Sequence, residues 1–267
     1  MKINYISILV LLIISLSSCS SDDDAISTDL TAASPGELAI TFDNQVGDTD
    51  FVLNQEFTVN SQTVTLNQLR YWVSNVSLIN DQGEVIVIDD SYFLIEETDA
   101  ISIQDGAYEY PATKRETITL SGVPAGNYTG ISYAIGIDSK YNDNLSLQAG
   151  ELSQLNGMTN ISWMWHTSYI FTAIKGKIVN SESVLKLETG LNDSYRELTL
   201  NFDQALVVNA SDTSDLRIKA DITGMLQGVD FTETPAIGAS TPEAMNLMAD
   251  NFQNATFSLE TATDENL

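Results

Sequence analysis

The chain is poor in cations. Its 267 residues hold 11 lysines and arginines against 37 aspartates and glutamates, a formal charge of −26. A surface of that sign repels phosphate backbones, which excludes nucleic-acid binding through a basic face. A single cysteine allows neither an intrachain disulfide nor a thiolate cluster, and a single histidine allows no multi-histidine metal cage. The phosphate-cradling glycine loops, H-E-x-x-H and the G-x-S-x-G elbow are also missing. His166 would be the only base for a Ser-His-Asp arrangement, so nothing points to enzymatic activity. What remains is ordinary for a folded domain: 43% hydrophobic residues and 8% aromatics, in a length that suits one all-β unit.

The N-terminus reads as an address. Lys2 precedes an apolar run from Ile6 to Leu16 that is too short for a membrane span of ~20 residues. It ends in Leu16-Ser17-Ser18-Cys19, which resembles a bacterial lipobox and predicts cleavage before an acylated Cys19. Each buried CH₂ of an acyl chain contributes ~0.8 kcal/mol, so several chains would hold the protein on a membrane. Ser20-Ser21-Asp22-Asp23-Asp24 resembles the acidic tag that directs Bacteroidota lipoproteins to the outer face of the outer membrane. The expected organisation is a signal peptide over 1–18, the acylated cysteine and an acidic tether over 19–36, a folded domain over 37–262 and a tail over 263–267.

Within the domain, strand signals recur at short intervals. Leu38, Ile40 and Phe42 alternate onto one face. Arg70 to Ile79 is rich in aromatic and β-branched residues, with Trp72, Val76 and Leu78 expected on one face, and Gln82-Gly83 turns it into Glu84 to Ile88 as a hairpin. From Asp215 to Ile222, Leu216, Ile218, Ala220 and Ile222 face inward while Arg217, Lys219 and Asp221 meet water. A late helix is signalled by Thr241 as cap, Pro242 at the first position and Glu243 beside the dipole, with Met245, Leu247, Met248 and Phe252 as its apolar stripe. The expected fold is an all-β antiparallel sandwich with a short C-terminal helix.

Five segments resemble one known family. These are Leu38 to Gly47; Leu69-Arg70-Tyr71-Trp72-Val73-Ser74-Asn75-Val76; Val123-Pro124-Ala125-Gly126-Asn127-Tyr128 with Ile135-Gly136-Ile137-Asp138-Ser139; Asn156-Gly157-Met158 leading to Trp163-Met164-Trp165 and Tyr169-Ile170-Phe171; and Met248 to Phe252 with Phe257-Ser258. In this order they resemble the MbnP-like domain. The resemblance implies a β-sandwich and, in some relatives, a copper(I) site of histidines with a tryptophan oxidised to kynurenine by a partner di-haem peroxidase. This chain departs at both implied histidines: Glu188 stands at one, in Leu185-Lys186-Leu187-Glu188-Thr189-Gly190, and Glu260 or a neighbour at the other.

Several residue sets could carry chemistry. On a strand, Met164 and His166 would share a face, and with Met158 they would offer soft donors to copper(I). If Glu188 and Glu260 converge, their hard oxygens suit calcium or magnesium instead. Trp163 and Trp165 fit a core or an aromatic platform. Asp138 to Asn144 is rich in oxygen donors but lacks the EF-hand pattern and reads as a solvated loop. The competing reading is a metal-independent surface lipoprotein that meets partners through Trp163, Trp165 and Tyr169.

Overall fold

A computed structural model describes residues 34–103, 106–160 and 168–260. Their strands are β1 (Gly36–Val46), β2 (Thr49–Asp50), β3 (Glu56–Val59), β4 (Gln62–Asn80), β5 (Val85–Val87), β6 (Tyr92–Thr98), β7 (Ile101–Ile103), β8 (Tyr108–Tyr110) and β9 (Thr113–Arg115). There follow β10 (Thr117–Val123), β11 (Gly126–Ile135), β12 (Thr159–Asn160), β13 (Ser168–Ile178), β14 (Ser183–Gly190), β15 (Arg196–Val208), β16 (Thr213–Asp221), β17 (Ala236–Ile237) and β18 (Phe257–Leu259). Among the described residues three α-helices interrupt them: α1 (Ser139–Asn142), α2 (Ile222–Met225) and α3 (Pro242–Asn254).

All but β7 and β8, which pair apart as a two-stranded sheet, join in a two-sheet sandwich. The smaller sheet runs β10-β1-β16-β18, with β2 on β1. The larger runs β15-β11-β4-β13-β14-β17, with β3, β5 and β6 also on β4. The main core lies between them. It takes Leu38, Ile40, Phe42, Ile218 and Ala220 from one sheet and Leu69, Tyr71, Val73, Ile131, Tyr133, Ile174 and Leu187 from the other. Each large apolar side chain buried this way contributes roughly 1.5–3 kcal/mol. The pairing is mixed rather than wholly antiparallel, because β1 runs parallel to β16 and β14 parallel to β17. Only neighbouring hairpin strands must be antiparallel; strands joined by long connections are free of that constraint.

One bulge changes the expected face pattern of β4. Between Ser74 and Ser77 this strand spends three steps where β11, from Ala134 to Ser132, spends two. Asn75 falls in that interval with a φ of +51°, a conformation that asparagine tolerates better than most residues. The extra residue inverts the alternation. Tyr71 and Val73 before it, and Val76 and Leu78 after it, all enter the main core, while Trp72 turns to the opposite face of the sheet. Trp72 is buried as expected, but not beside Val76 and Leu78.

Trp72 instead belongs to a second apolar layer on the outer face of the large sheet, with Ile137, Tyr141, Met158, Tyr169 and Phe171. The segment 137–158 supplies much of that layer. Asp138 to Asn144 is therefore only partly the solvated loop expected: Asp138 caps α1 by accepting from the Lys140 amide and Tyr141 and Asn142 are buried, while Ser139, Lys140, Asp143 and Asn144 face water. Gly136 adjoins it with a φ of +113°, and a Cβ there would fall 2.5 Å from the Phe171 ring, so only glycine fits.

The late helix forms with Pro242 at its start and Glu243 in its first turn, but Thr241 gives no side-chain cap. Its hydroxyl bonds Gly238 instead. Met245, Met248, Ala249 and Phe252 are buried, whereas Leu247 is exposed. Phe252 and Phe257 pack with Phe42, Tyr71 and Tyr133 in an aromatic cluster, with the linked ring centroids 5.6–6.4 Å apart, which fastens the C-terminal helix and strand to the core.

Candidate functional site

Direct cross-strand neighbours project from the same face of a sheet. In the large sheet, Glu188 on β14, Ala173 on β13, Arg70 on β4, Glu96 on β6 and Arg115 on β9 stand in one row. The adjacent row on the same face is Lys186, Lys175, Gln68 and Thr98. Charge is thus concentrated on the outer face, beside the second apolar layer.

Glu188 is 2% exposed and lies between two ammonium groups, with Lys175 Nζ 3.1 Å from one carboxylate oxygen and Lys186 Nζ 3.3 Å from the other. The Lys186-x-Glu188 spacing on a strand places both side chains on one face, and this is the signal by which the sequence announces the pairing. Arg70, fully buried, donates from Nε to Glu96 Oε2 at 2.9 Å, while its Nη2 stands 2.7 Å from the same oxygen. Its Nη1 finds no hydrogen-bond partner among the described residues. The ring of Tyr110 lies 4.8 Å from the guanidinium carbon and supplies a cation–π contact there. Tyr110 donates to Glu96 Oε1 at 2.6 Å, and burial followed by this hydrogen bond pushes its hydroxyl up to about 12.

Next to these rows is a cavity of about 360 Å³, within the range of small-ligand sites. Gln68, Thr98, Lys175 and Lys186 line it from the sheet, and Asp99 to Ser102 from the β6–β7 connection and the start of β7. Further along the same face, Trp72 Nε1, Ser168 Oγ and the Tyr169 hydroxyl are buried without a hydrogen-bond partner among the described residues.

The predicted site residues do not gather in one place. Glu260 follows β18 of the smaller sheet, where Arg217 Nε donates to it at 2.9 Å and Gln45 Nε2 at 3.2 Å. It shares no partner with Glu188, which belongs to the other sheet. Tyr169 is wholly buried and packs edge-on against Trp72 at 6.1 Å, so it offers no surface to a partner. Met158 is buried in the second apolar layer. Cys19, Trp163, Met164, Trp165 and His166 lie outside the described residues.

One carboxylate group escaped the sequence reading. Asp43, Asp50 and Glu116 bring ligand-type oxygens within 4.8 Å of one another at the edge of the smaller sheet. Their charge is answered within the protein: Lys114 stands 3.4 Å from Glu116, and Asn44 Nδ2 donates to Glu116 at 3.1 Å.

The MbnP family profile matches residues 35–246. The fold is similar to that of MbnP from Methylosinus trichosporium, at a TM-score of 0.50 and 16% identity, over 73% of this chain and 79% of that one. No curated protein matches the sequence. The profile covers well over half of the chain, from the first strand into the late helix, and the chain belongs to the MbnP family.

Proposed function

We propose that this protein is a lipid-anchored, non-enzymatic protein of the cell envelope that binds a small ligand and has given up copper at the positions its family implies. One observation carries this reading: two lysine ammonium groups lie within 3.3 Å of the Glu188 carboxylate. A cation arriving at that carboxylate must displace or oppose both, at an effective interaction of about 4 kcal/mol per charge pair at 4 Å near a protein surface. Glu260 is similarly occupied by Arg217. Neither residue fits a copper or calcium site, and their separation between two sheets argues against a shared one.

The envelope location rests on the lipobox-like Leu16-Ser17-Ser18-Cys19 and the acidic Ser20 to Asp24, which together favour the outer membrane and a surface-facing domain. Acylation is tested by metabolic labelling with a clickable fatty acid: the wild type takes the label and Cys19→Ala does not. The metal reading is tested by chelator-competition titration of the full-length chain with cuprous ion. Equal, non-stoichiometric binding by wild type and Glu188→Gln is expected. One tight equivalent that disappears in Glu188→Gln would reverse the conclusion. An intact mass that departs from the sequence value at Trp163 or Trp165 would bring in an oxidising partner of the di-haem peroxidase class.

A further inference from the structure

Building on the small-ligand reading above, we infer that the cavity beside Glu188 binds a small hydroxylated carboxylate, gripped at its charged end by Lys175 and Lys186 and along its body by the Gln68 amide. Three independent features converge on this cavity.

The first is its floor. Thr98, Gln68, Lys175 and Lys186 are consecutive cross-strand neighbours on four adjacent strands. With strands ~4.8 Å apart, the row extends ~14 Å, long enough for a molecule of monosaccharide size. The second is Gln68 itself. It is 5% exposed and lines the cavity, yet its side-chain amide takes no hydrogen bond among the described residues. Its amide is reached from the cavity rather than sealed in the core, so its donor and acceptor sides are both open to a ligand that offers hydroxyl groups. The third is charge. Of the 11 basic residues in a chain of net charge −26, two line this one cavity.

Their geometry chooses the kind of anion. Each lysine already engages a different oxygen of the single Glu188 carboxylate. Two ammonium groups spaced to straddle one carboxylate can straddle a second from the cavity side, and the Lys175–Lys186–Glu188 set retains one positive charge to do so. Asp99 lines the cavity at the Thr98 end and accepts from Asn54 Nδ2 at 3.1 Å. That end repels an anion, so the ligand's carboxylate is directed toward the lysines and its hydroxyls toward Gln68 and Ser102.

The test is calorimetric and ligand-observed NMR titration of the detergent-solubilised full-length chain with three probes: galacturonate, galactose and inorganic phosphate. Galacturonate is expected to bind at least ~tenfold more tightly than the other two, a difference that corresponds to one charge-assisted contact, and to weaken with added salt. Lys186→Gln and Gln68→Leu are each expected to weaken galacturonate roughly tenfold, Gln68→Leu with unchanged melting temperature and Lys186→Gln with a lower one, because Glu188 then keeps only Lys175. Equal affinity for galacturonate and galactose, a preference for phosphate, no binding of any probe, or indifference to both substitutions would overturn the inference. The cuprous titration reads the underlying proposal separately: copper uptake at Glu188 would sink that proposal, whereas absent copper with absent galacturonate binding would sink this inference alone.

Discussion

The guanidinium of Arg70 lies over the ring of Tyr110, 4.8 Å from carbon to centroid, and both side chains reach the Glu96 carboxylate. The arginine is fully buried, so Glu96 and the ring are what make its charge tolerable there. Glu96→Gln is expected to cost about 3–5 kcal/mol, because it strands a desolvated cation. The double change Arg70→Met with Glu96→Leu should cost less than the single one. Urea unfolding of the three proteins checks the order.

Tyr110 adds a pH signature. Its folded value of about 12 stands above the ordinary 10.0, chiefly through burial and then through the bond to Glu96. A raised value favours the protonated folded state, so this contribution is complete below pH ~10 and is lost as pH rises toward ~12. Stability measured across that alkaline window should fall less steeply in Tyr110→Phe than in wild type.

Glu116 behaves in the opposite sense to a well-paired surface acid. Burial raises its carboxyl above 4.5, outweighing Lys114 and the two donors of Asn44, which pull it down. The stabilising form is therefore the protonated one, present below that ordinary value and lost as pH rises through the raised one. Glu116→Gln is expected to be at least as stable as wild type at neutral pH, with the advantage vanishing in acid. Thermal melts at both ends of the range decide it.

Asn75 holds both the bulge and a polar knot. Its amide donates to the Tyr195 hydroxyl at 2.7 Å and to Asp138 Oδ2 at 3.3 Å, and Tyr92 donates to its carbonyl oxygen at 3.1 Å and also to Asp138. Asn75→Gly loses those bonds but keeps the backbone at ease. Asn75→Ala loses them and adds ~1 kcal/mol of left-handed strain. The alanine variant should melt below the glycine variant.

The strand of Leu38 to Phe42, the hairpin around Gln82-Gly83, the alternation through Ile222 and the late helix were legible because their signals are local: period two, turn residues, Pro242 at a helix start. The second apolar layer was not, since Trp72 reaches it only through a one-residue bulge that no propensity announces. The lysine pairing of Glu188 was half legible. Lys186 lies two residues away on the same strand, but Lys175 arrives from β13 through register alone. Only the competing reading put Tyr169 at a surface, because aromatics suit contacts, while its burial beside the 137–158 segment is decided by tertiary packing.

The parallel pairing of β1 with β16 bears on biogenesis. Residues 36–46 have only the short β2 at their tip until β10 is made, and their other long edge stays open until residues 213–221 emerge. A chain delivered amino end first therefore leaves the ribosome with its earliest strand unable to close the smaller sheet, and stays pliable until nearly all of it has been made.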